Sequence, residues 1–378
     1  MKQKLLCFFL VIVTLISITS ISVHAEFEVD KEIKSVILIE AETGTTLYER
    51  NADEQLSPAS VTKIMTALLV MEAIDSGKLS FDTQITVSAN ASSMGGSQIF
   101  LEIGETISVS ELLKGMMVAS GNDAAVAFAE AIGGTEQNFV DMMNAKAEQL
   151  NMTNTHFVNC HGLDEENHYT SAKDIATMSA ELIKHQEILE YSSVWTDSIR
   201  GGKTALANTN KLVRFYEGCD GLKTGSTSIA KCCISATAKK GSMRLIAVVL
   251  AAPNTEMRFA AVRQMFDYGF ALKEVAEIEE KEIGTVRVLG GMKSEVPVST
   301  VGIKKLVDKG ILNKITYETV LDTDIKAPIR QMQVVGKVRA LIDQNELFAT
   351  DIVALESVER ITLAEIFRNL LLSMSKRR

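Results

Sequence analysis

The chain has 378 residues, with 39 Lys and Arg against 48 Asp and Glu and a formal charge of −9. That length suggests two or three domains, and 46% apolar with 23% charged residues excludes wholesale disorder. Twenty-three Gly and 4 Pro exclude collagen-like and linker-dominated architectures, and the acidic balance argues against a nucleic-acid partner, which asks for a basic face.

The first residues read as a signal peptide. Lys2 and Lys4 precede an apolar run from Leu5 to Val13, which continues diluted by Thr and Ser to Val23. Val23-His24-Ala25 then places Val at −3 and Ala at −1 of a cleavage site. Residues 1–25 are therefore expected to be removed on export, although Leu5 to Val23 could nearly span a bilayer if retained. Cys7 leaves with this segment. It lies before the apolar run ends, so it is no lipoprotein cysteine.

Cys160, Cys219, Cys232 and Cys233 remain. An even number in an exported protein permits disulfides. Adjacent Cys232 and Cys233, however, point to opposite faces of a strand, and in a hairpin turning near residue 229 Cys219 faces roughly Lys239. Mostly free, buried thiols are expected. The remaining histidines (His156, His161, His168, His185) lack metal-ligand spacing, so neither a metal nor another cofactor is expected.

Residues 34–49 predict a hairpin around Glu42-Thr43-Gly44. A helix follows, with Ser57 as cap, Pro58 at its first position, an apolar run from Ile64 to Met71, and Gly77 as its end. A second helix opens at Ser110, breaks near Ser120-Gly121-Asn122 and resumes from Ala124 to Ile132. Gly133-Gly134 ends it, and Thr135 caps the next. Another helix is expected from Ser171 to His185. Leu222–Ser226, Cys232–Ala238 and Leu245–Leu250 read as three strands joined by short turns, hence antiparallel. An amphipathic helix spans Glu256 to Tyr268. This pattern predicts an α/β (α+β) domain, an antiparallel sheet flanked by helices, over residues 26–273.

From Glu274 to Glu282 five Glu and one Lys occupy nine positions, which reads as a linker. Short Val/Ile-rich runs then predict a small all-β domain, placed at 274–355. The tail, 356–378, is read as an amphipathic helix. Leu363, Ile366, Phe367, Leu370, Leu371 and Met374 follow 3/4 spacing, and Arg360, Arg368, Lys376, Arg377 and Arg378 are basic. An apolar stripe together with a terminal basic cluster points to a membrane surface rather than to packing on the protein itself.

Three short motifs carry the chemistry: Ser60-Val61-Thr62-Lys63, Ser120-Gly121-Asn122 and Lys223-Thr224-Gly225. S-x-x-K recurs at Ser228–Lys231 and Ser373–Lys376, and S-x-N at Ser88–Asn90, so order and context carry more weight than any one motif. The first sits at a helix start, the second at a break between helices, the third on a strand before a hairpin. A serine hydroxyl needs a neighbour to take its proton. Positions i and i+3 share a helix face, so Ser60 and Lys63 can meet. Burial and nearby positive charge, here from Lys223 across the cleft, lower a lysine pKa and leave Lys63 a neutral general base. In this scheme Ser120 relays a proton to the leaving amine. Asn122 holds Lys63 and donates to a substrate carbonyl. Lys223, Thr224, Gly225 and Ser226 line a strand edge on which an extended peptide can lie. The backbone N–H groups of Ser60 and Ser226 form the oxyanion hole.

The three motifs are shared by penicillin-binding proteins and class A β-lactamases. With SPASVTKIMTALL, LLKGMMVASGNDAAVAFAE, NTHFVNCHGLD, HYTSAKDIATM, DGLKTGSTSIA, MRLIAVVL and EMRFAAVRQMFDYGF, the chain resembles the low-molecular-mass penicillin-binding protein family of D-alanyl-D-alanine carboxypeptidases over almost its whole length. The resemblance implies the penicillin-binding-protein/β-lactamase-like transpeptidase fold. It implies removal of the terminal D-Ala from peptidoglycan pentapeptide stems through an acyl-enzyme on Ser60, and acylation of Ser60 by penicillin. It also implies that Arg258 binds the substrate carboxylate with Thr224 and Ser226, and that the protein acts at the outer face of the cytoplasmic membrane or in the cell wall. Ser226 stands where some members carry His. A serine β-lactamase is the alternative enzyme. Glu148-Gln149-Leu150-Asn151 comes close to the deacylating Glu-x-x-Leu-Asn of class A, but the glutamate is one residue late. A penicillin sensor or wall scaffold with a vestigial site is the non-enzymatic alternative, disfavoured by intact motifs.

Overall fold

The computed structural model describes residues 27–375 except Asp324. The expected signal peptide and the basic residues 376–378 lie outside the described residues.

A five-stranded antiparallel sheet forms the centre of the first unit. Its strands are β1 (Ser35–Glu40), β2 (Thr46–Arg50), β3 (Cys219–Thr227), β4 (Lys231–Lys240) and β5 (Met243–Ala252), in the order β2-β1-β5-β4-β3. The β1–β2 turn is held by the Glu40 carboxylate, which accepts from the N–H groups of Glu42 and Thr43 and from the Thr43 hydroxyl. Gly241, at φ +59°, makes the expected tight turn between β4 and β5. Because strand side chains alternate, the sheet feeds two cores. Ile37, Ile39, Ile246, Val248 and Leu250 face one cluster; Val36, Leu38, Leu245, Ala247 and Val249 face the other.

The larger core is helical: α1 (Lys63–Asp75), α2 (Val109–Val118), α3 (Asn122–Gly133), α4 (Glu136–Gln149) and α5 (Ala172–Leu182). Helix α1 is buried on nearly all sides, from Lys63 to Met71, which is why it is apolar all round rather than amphipathic. The opposite face is covered by α6 (Thr255–Leu272), capped by Asn254, whose Oδ1 accepts from the Met257 N–H at 2.9 Å. Thr135 and Ser171 cap α4 and α5 as their positions predict. Ser108, rather than Ser110, caps α2.

The helix start expected at Ser57-Pro58 is displaced. Pro58 precedes a 3-10 turn, Ala59–Thr62, and the α-helix begins only at Lys63. Ala59 adopts φ +49°, so the chain cannot run straight from Pro58 into a helix.

The second unit is a six-stranded sheet in the order β10-β12-β13-β8-β7-β11, built from β7 (Glu282–Leu289), β8 (Glu295–Thr300), β10 (Thr316–Leu321), β11 (Ile325–Lys326), β12 (Val334–Ile342) and β13 (Asn345–Ala354). The linker expected from Glu274 to Glu282 is mostly strand. β6 (Lys273–Ile278) pairs antiparallel with β9 (Ile303–Asp308). Val275, Ala276 and Ile278 are buried while Glu277 is exposed. Ala276 and Ile278 belong to the core of the second unit and Val275, on the opposite face of the strand, to the core covered by α6; these apolar residues are what fold it. Across the units Lys304 donates to Glu42 Oε1 at 2.9 Å. The tail forms α7 (Leu363–Ser375), with Leu363, Ile366, Phe367 and Leu371 exposed. Among the described residues no helix is long and apolar enough to cross a membrane.

Candidate active site

The 3-10 turn brings Ser60 and Lys63 together. Side chains at i and i+3 nearly eclipse in such a turn, and Lys63 Nζ lies 3.0 Å from Ser60 Oγ. Nζ also donates to Asn122 Oδ1 at 2.6 Å and to the His161 carbonyl at 2.7 Å. A neutral amine has two N–H donors and one lone pair. The two shorter contacts use both donors, and the lone pair is left for the Ser60 proton. Lys63 is fully buried, and burial lowers its pKa from 10.5 to about 7, opposed by the charge of Asp123.

Asn122 opens α3 just after a sharp break. Ser120 holds φ +66° and is buried. The Asn122 N–H donates to the Ser97 carbonyl at 2.7 Å and its Nδ2 to the Gly95 carbonyl at 2.7 Å, which fixes its Oδ1 toward Lys63. Next in the chain, buried Asp123 accepts from the N–H groups of Ile99 and Leu101 and braces the same loop.

Strand β3 is the sheet edge opposite. Gly225 is required there by close approach. A Cβ at that position would lie 2.7 Å from the Ser60 nitrogen and 2.9 Å from both the Ala59 Cβ and the Pro58 oxygen. Lys223 is fully buried and donates to the Thr224 carbonyl at 2.8 Å. Thr224 Oγ1 donates to Thr209 Oγ1 at 2.6 Å, and Ser226 is exposed. Arg258 rises from α6 beneath the strand. Its Nη1 donates to the carbonyls of Gly225 at 3.1 Å and Cys233 at 3.2 Å, and its buried Nε has no partner among the described residues.

One electrostatic expectation is corrected. Of the two causes expected to lower the Lys63 pKa, burial leads and the charge of Lys223 is not among the causes. Lys223 is itself held well below the usual lysine range, first by burial and then by the charges of Lys63 and Arg258.

Several residues with no assigned role in the sequence reading prove central. Beside His161, Asn159 Oδ1 accepts from the N–H groups of His161 and Gly162. Gly162, at φ +90°, packs so closely that a Cβ would sit 1.9 Å from the Ala59 oxygen. The His161 ring accepts the Leu163 N–H at Nδ1, and burial pushes its pKa down to about 3. His168, lowered by burial to about 4, accepts the Val158 N–H at Nδ1. Its Nε2 therefore carries the proton and donates to Thr62 Oγ1, which donates to the Ala59 carbonyl at 2.9 Å. The strings NTHFVNCHGLD and HYTSAKDIATM contained these residues, but their work is done by a carbonyl, a glycine, an amide oxygen and ring nitrogens, which no motif spells out.

The four cysteines are free and buried. A bulge between Cys219 and Gly221 sets Cys219 opposite Ala238, one residue from the expected Lys239. Glu148 is exposed near the end of α4, outside the Ser60–Lys63–Asn122 cluster.

This arrangement, a serine beside a buried amine whose pKa is lowered to about 7, under a strand edge, defines a serine acyl-transfer enzyme with the penicillin-binding-protein fold. Residues 21–254 match the family described as D-alanyl-D-alanine carboxypeptidase, and residues 273–360 match the C-terminal domain of penicillin-binding protein 5. The chain belongs to the D-alanyl-D-alanine carboxypeptidase family, the serine peptidases among the low-molecular-mass penicillin-binding proteins. D-alanyl-D-alanine carboxypeptidase DacF of Bacillus subtilis is 43% identical over 340 residues, covering 88% of this chain and 87% of that protein. The crystal structure of penicillin-binding protein 5 from Haemophilus influenzae is 32% identical, with a TM-score of 0.71 over 87% of this chain and 98% of its own. Penicillin-binding protein D2 from Listeria monocytogenes, solved in its ampicillin-bound form, is 34% identical, with a TM-score of 0.58 over 63% of this chain and 98% of its own.

Proposed function

We propose that the protein removes the terminal D-alanine from peptidoglycan pentapeptide stems by way of an acyl-enzyme on Ser60. The observation that carries this reading is the Ser60–Lys63 contact, with the other two Lys63 contacts occupied by acceptors. Ser60 Oγ attacks the carbonyl of the penultimate D-Ala while its proton passes to the neutral Lys63 Nζ. The oxyanion is received by the N–H groups of Ser60 and Ser226, and each such donor is worth about 10²–10³ in rate. When the peptide C–N bond breaks, the leaving amine takes a proton relayed through Ser120 from Lys63. Water then adds to the ester and releases the shortened stem, returning the proton to Ser60.

Lys223, Thr224, Gly225 and Ser226 hold the extended peptide. Arg258, with a buried guanidinium already turned toward the strand, supplies charge for the terminal carboxylate together with Thr224 and Ser226. A β-lactam mimics the same acyl donor and acylates Ser60 covalently.

Residues 1–25 serve export and 26–273 catalyse. Residues 274–355 form a β-rich spacer, and 356–378 attach to the membrane surface. The exposed apolar side chains Leu363, Ile366, Phe367 and Leu371 on α7 support that last assignment. It places the enzyme at the outer face of the cytoplasmic membrane, or in the wall if the tail is lost.

The test is mass spectrometry of a pentapeptide muropeptide before and after incubation, with Ser60→Ala as control. The expected result is loss of one alanine mass with the parent chain only. Fast turnover of penicillin without alanine release would overturn the reading.

A further inference from the structure

The loop from Asn159 to Asp164 touches the general base through the His161 carbonyl and the nucleophile's turn through Gly162. Its last residue reaches further. Asp164 Oδ1 accepts from Ser57 Oγ at 3.0 Å and from Thr227 Oγ1 at 2.7 Å, and its Oδ2 lies 3.4 Å from the Ile229 N–H. Ser57 lies three residues before the nucleophile. Thr227 directly follows Ser226, and Ile229 belongs to the β3–β4 turn. One carboxylate oxygen therefore ties the approach to Ser60 to the end of the strand opposite, from a loop that belongs to the helical side. Thr227 Oγ1 in turn accepts the Ala230 N–H at 3.0 Å, so the turn is ordered through the same hydroxyl.

We propose that Asp164 is a positioning residue that clasps one end of the cleft and sets the separation of the Ser60 and Ser226 N–H groups. Asp164 touches no reacting atom. It acts through Ser57, which carries the chain into the strained Ala59–Ser60 step, and through Thr227, which anchors the strand edge one residue past Ser226. Both hydroxyls converge on a single oxygen, so neither wall of the cleft can move without losing a charge-assisted hydrogen bond. Donors that must meet a developing oxyanion are sensitive to such placement, and a displacement near 1 Å can cost about 10²-fold. The inference rests on the acyl-enzyme reading of the site.

The test compares Asp164→Ala, Asp164→Asn, Thr227→Val and the Asp164→Ala/Thr227→Val double variant in the full chain. Two rates are read, single-turnover acylation by a fluorescent penicillin and D-Ala release from a pentapeptide, alongside the thermal midpoint. Asp164→Ala is expected to slow acylation about 10-fold to 100-fold. Asp164→Asn, which keeps an acceptor oxygen, should recover most of that loss. Thr227→Val should slow acylation less, and the double variant should lose less than the two single losses added together, because one contact is shared between them while Thr227 keeps its own bond to the Ala230 N–H. If Asp164→Ala fails to fold, Thr227→Val and Ser57→Ala still report, each removing one donor and leaving the carboxylate in place. Acylation within twofold of the parent in these variants, or losses that add in the double variant, would overturn the clasp. A parent chain that releases no D-Ala would instead overturn the functional reading beneath it.

Discussion

The proton state of Lys63 is the most exposed point of the mechanism. Its pKa falls from 10.5 to about 7, and burial is the leading cause. At 1.36 kcal/mol per unit this shift corresponds to about 5 kcal/mol against the ammonium form. The neutral fraction is then about 1% at pH 5, about half at pH 7 and about 99% at pH 9. Single-turnover acylation by a fluorescent penicillin should rise about tenfold per pH unit below 7 and level off above it. The penicillin carboxylate stays ionised across this range, so the limb belongs to the enzyme.

The same shift predicts a stability effect of definite sign. Between about pH 7 and 10.5 the unfolded chain keeps a proton at Lys63 that the folded chain has released. Stability therefore rises with pH through that window, by up to about 1.4 kcal/mol per unit, and the full cost of burial stands below it. From pH 7 to 9 the gain from Lys63 is about 2 kcal/mol. Lys63→Met should abolish acylation and remove this part of the slope in urea unfolding at the two pH values. What Lys223, also lowered, contributes to the slope should remain. An acylation rate flat from pH 5 to 9, or a midpoint above 9, would refute the neutral-base argument.

Gly225→Ala should be severe, since the added methyl meets the Ser60 nitrogen at 2.7 Å with backbone rather than a flexible side chain in the way. Overpacking costs about 1–3 kcal/mol, read as a lower thermal midpoint, and acylation should fall by about 10² or more. A near-normal rate would show that the strand and the nucleophile's turn are not held this closely. Arg258→Lys keeps a charge but loses the planar fork, so kcat/KM for D-Ala release should drop about tenfold, mainly through KM. An unchanged KM would remove Arg258 from carboxylate binding. Deleting residues 357–378 should release the protein from anionic vesicles in a sedimentation assay and leave peptidase activity intact. Persistent binding would reject the tail as anchor.

The sequence made the skeleton legible wherever side chains carry the signal. Alternating apolar runs located β3, β4 and β5 within a few residues, and hydroxyl caps located α4 and α5. It misread two places for opposite reasons. At Glu274–Glu282 charge density suggested a linker. Yet a strand needs only a few apolar anchors, and Ala276 and Ile278 supply them on one face and Val275 on the other. At Ser57-Pro58 the cap-and-proline pattern was intact, but tertiary contact overrode it. Gly162 and Gly225 press on Ala59 and Ser60 from two sides, and the chain answers with a left-handed residue and a 3-10 turn. That displacement improves the chemistry, because the eclipsed i, i+3 geometry of the turn is what carries Lys63 Nζ to Ser60 Oγ.

Lys63 illustrates why the rest of the site could not be read from motifs. S-x-x-K names the nucleophile and the base but not what keeps the base uncharged and aimed. Aim comes from Asn122 Oδ1 and from the His161 carbonyl. The second of these is backbone, so any residue type at that position could supply it. Its placement depends instead on Asn159, which pins the N–H groups of His161 and Gly162, and on Gly162, which alone fits against the Ala59 oxygen. Burial, the source of the lowered pKa, is a property of the closed core around α1 and of no single neighbour. A serine-lysine pair on the surface of a helix would have the same four letters and a charged lysine. The catalytic difference lies in the packing of a loop nearly 100 residues away in the chain, whose carbonyl takes one Lys63 N–H so that the lone pair faces Ser60.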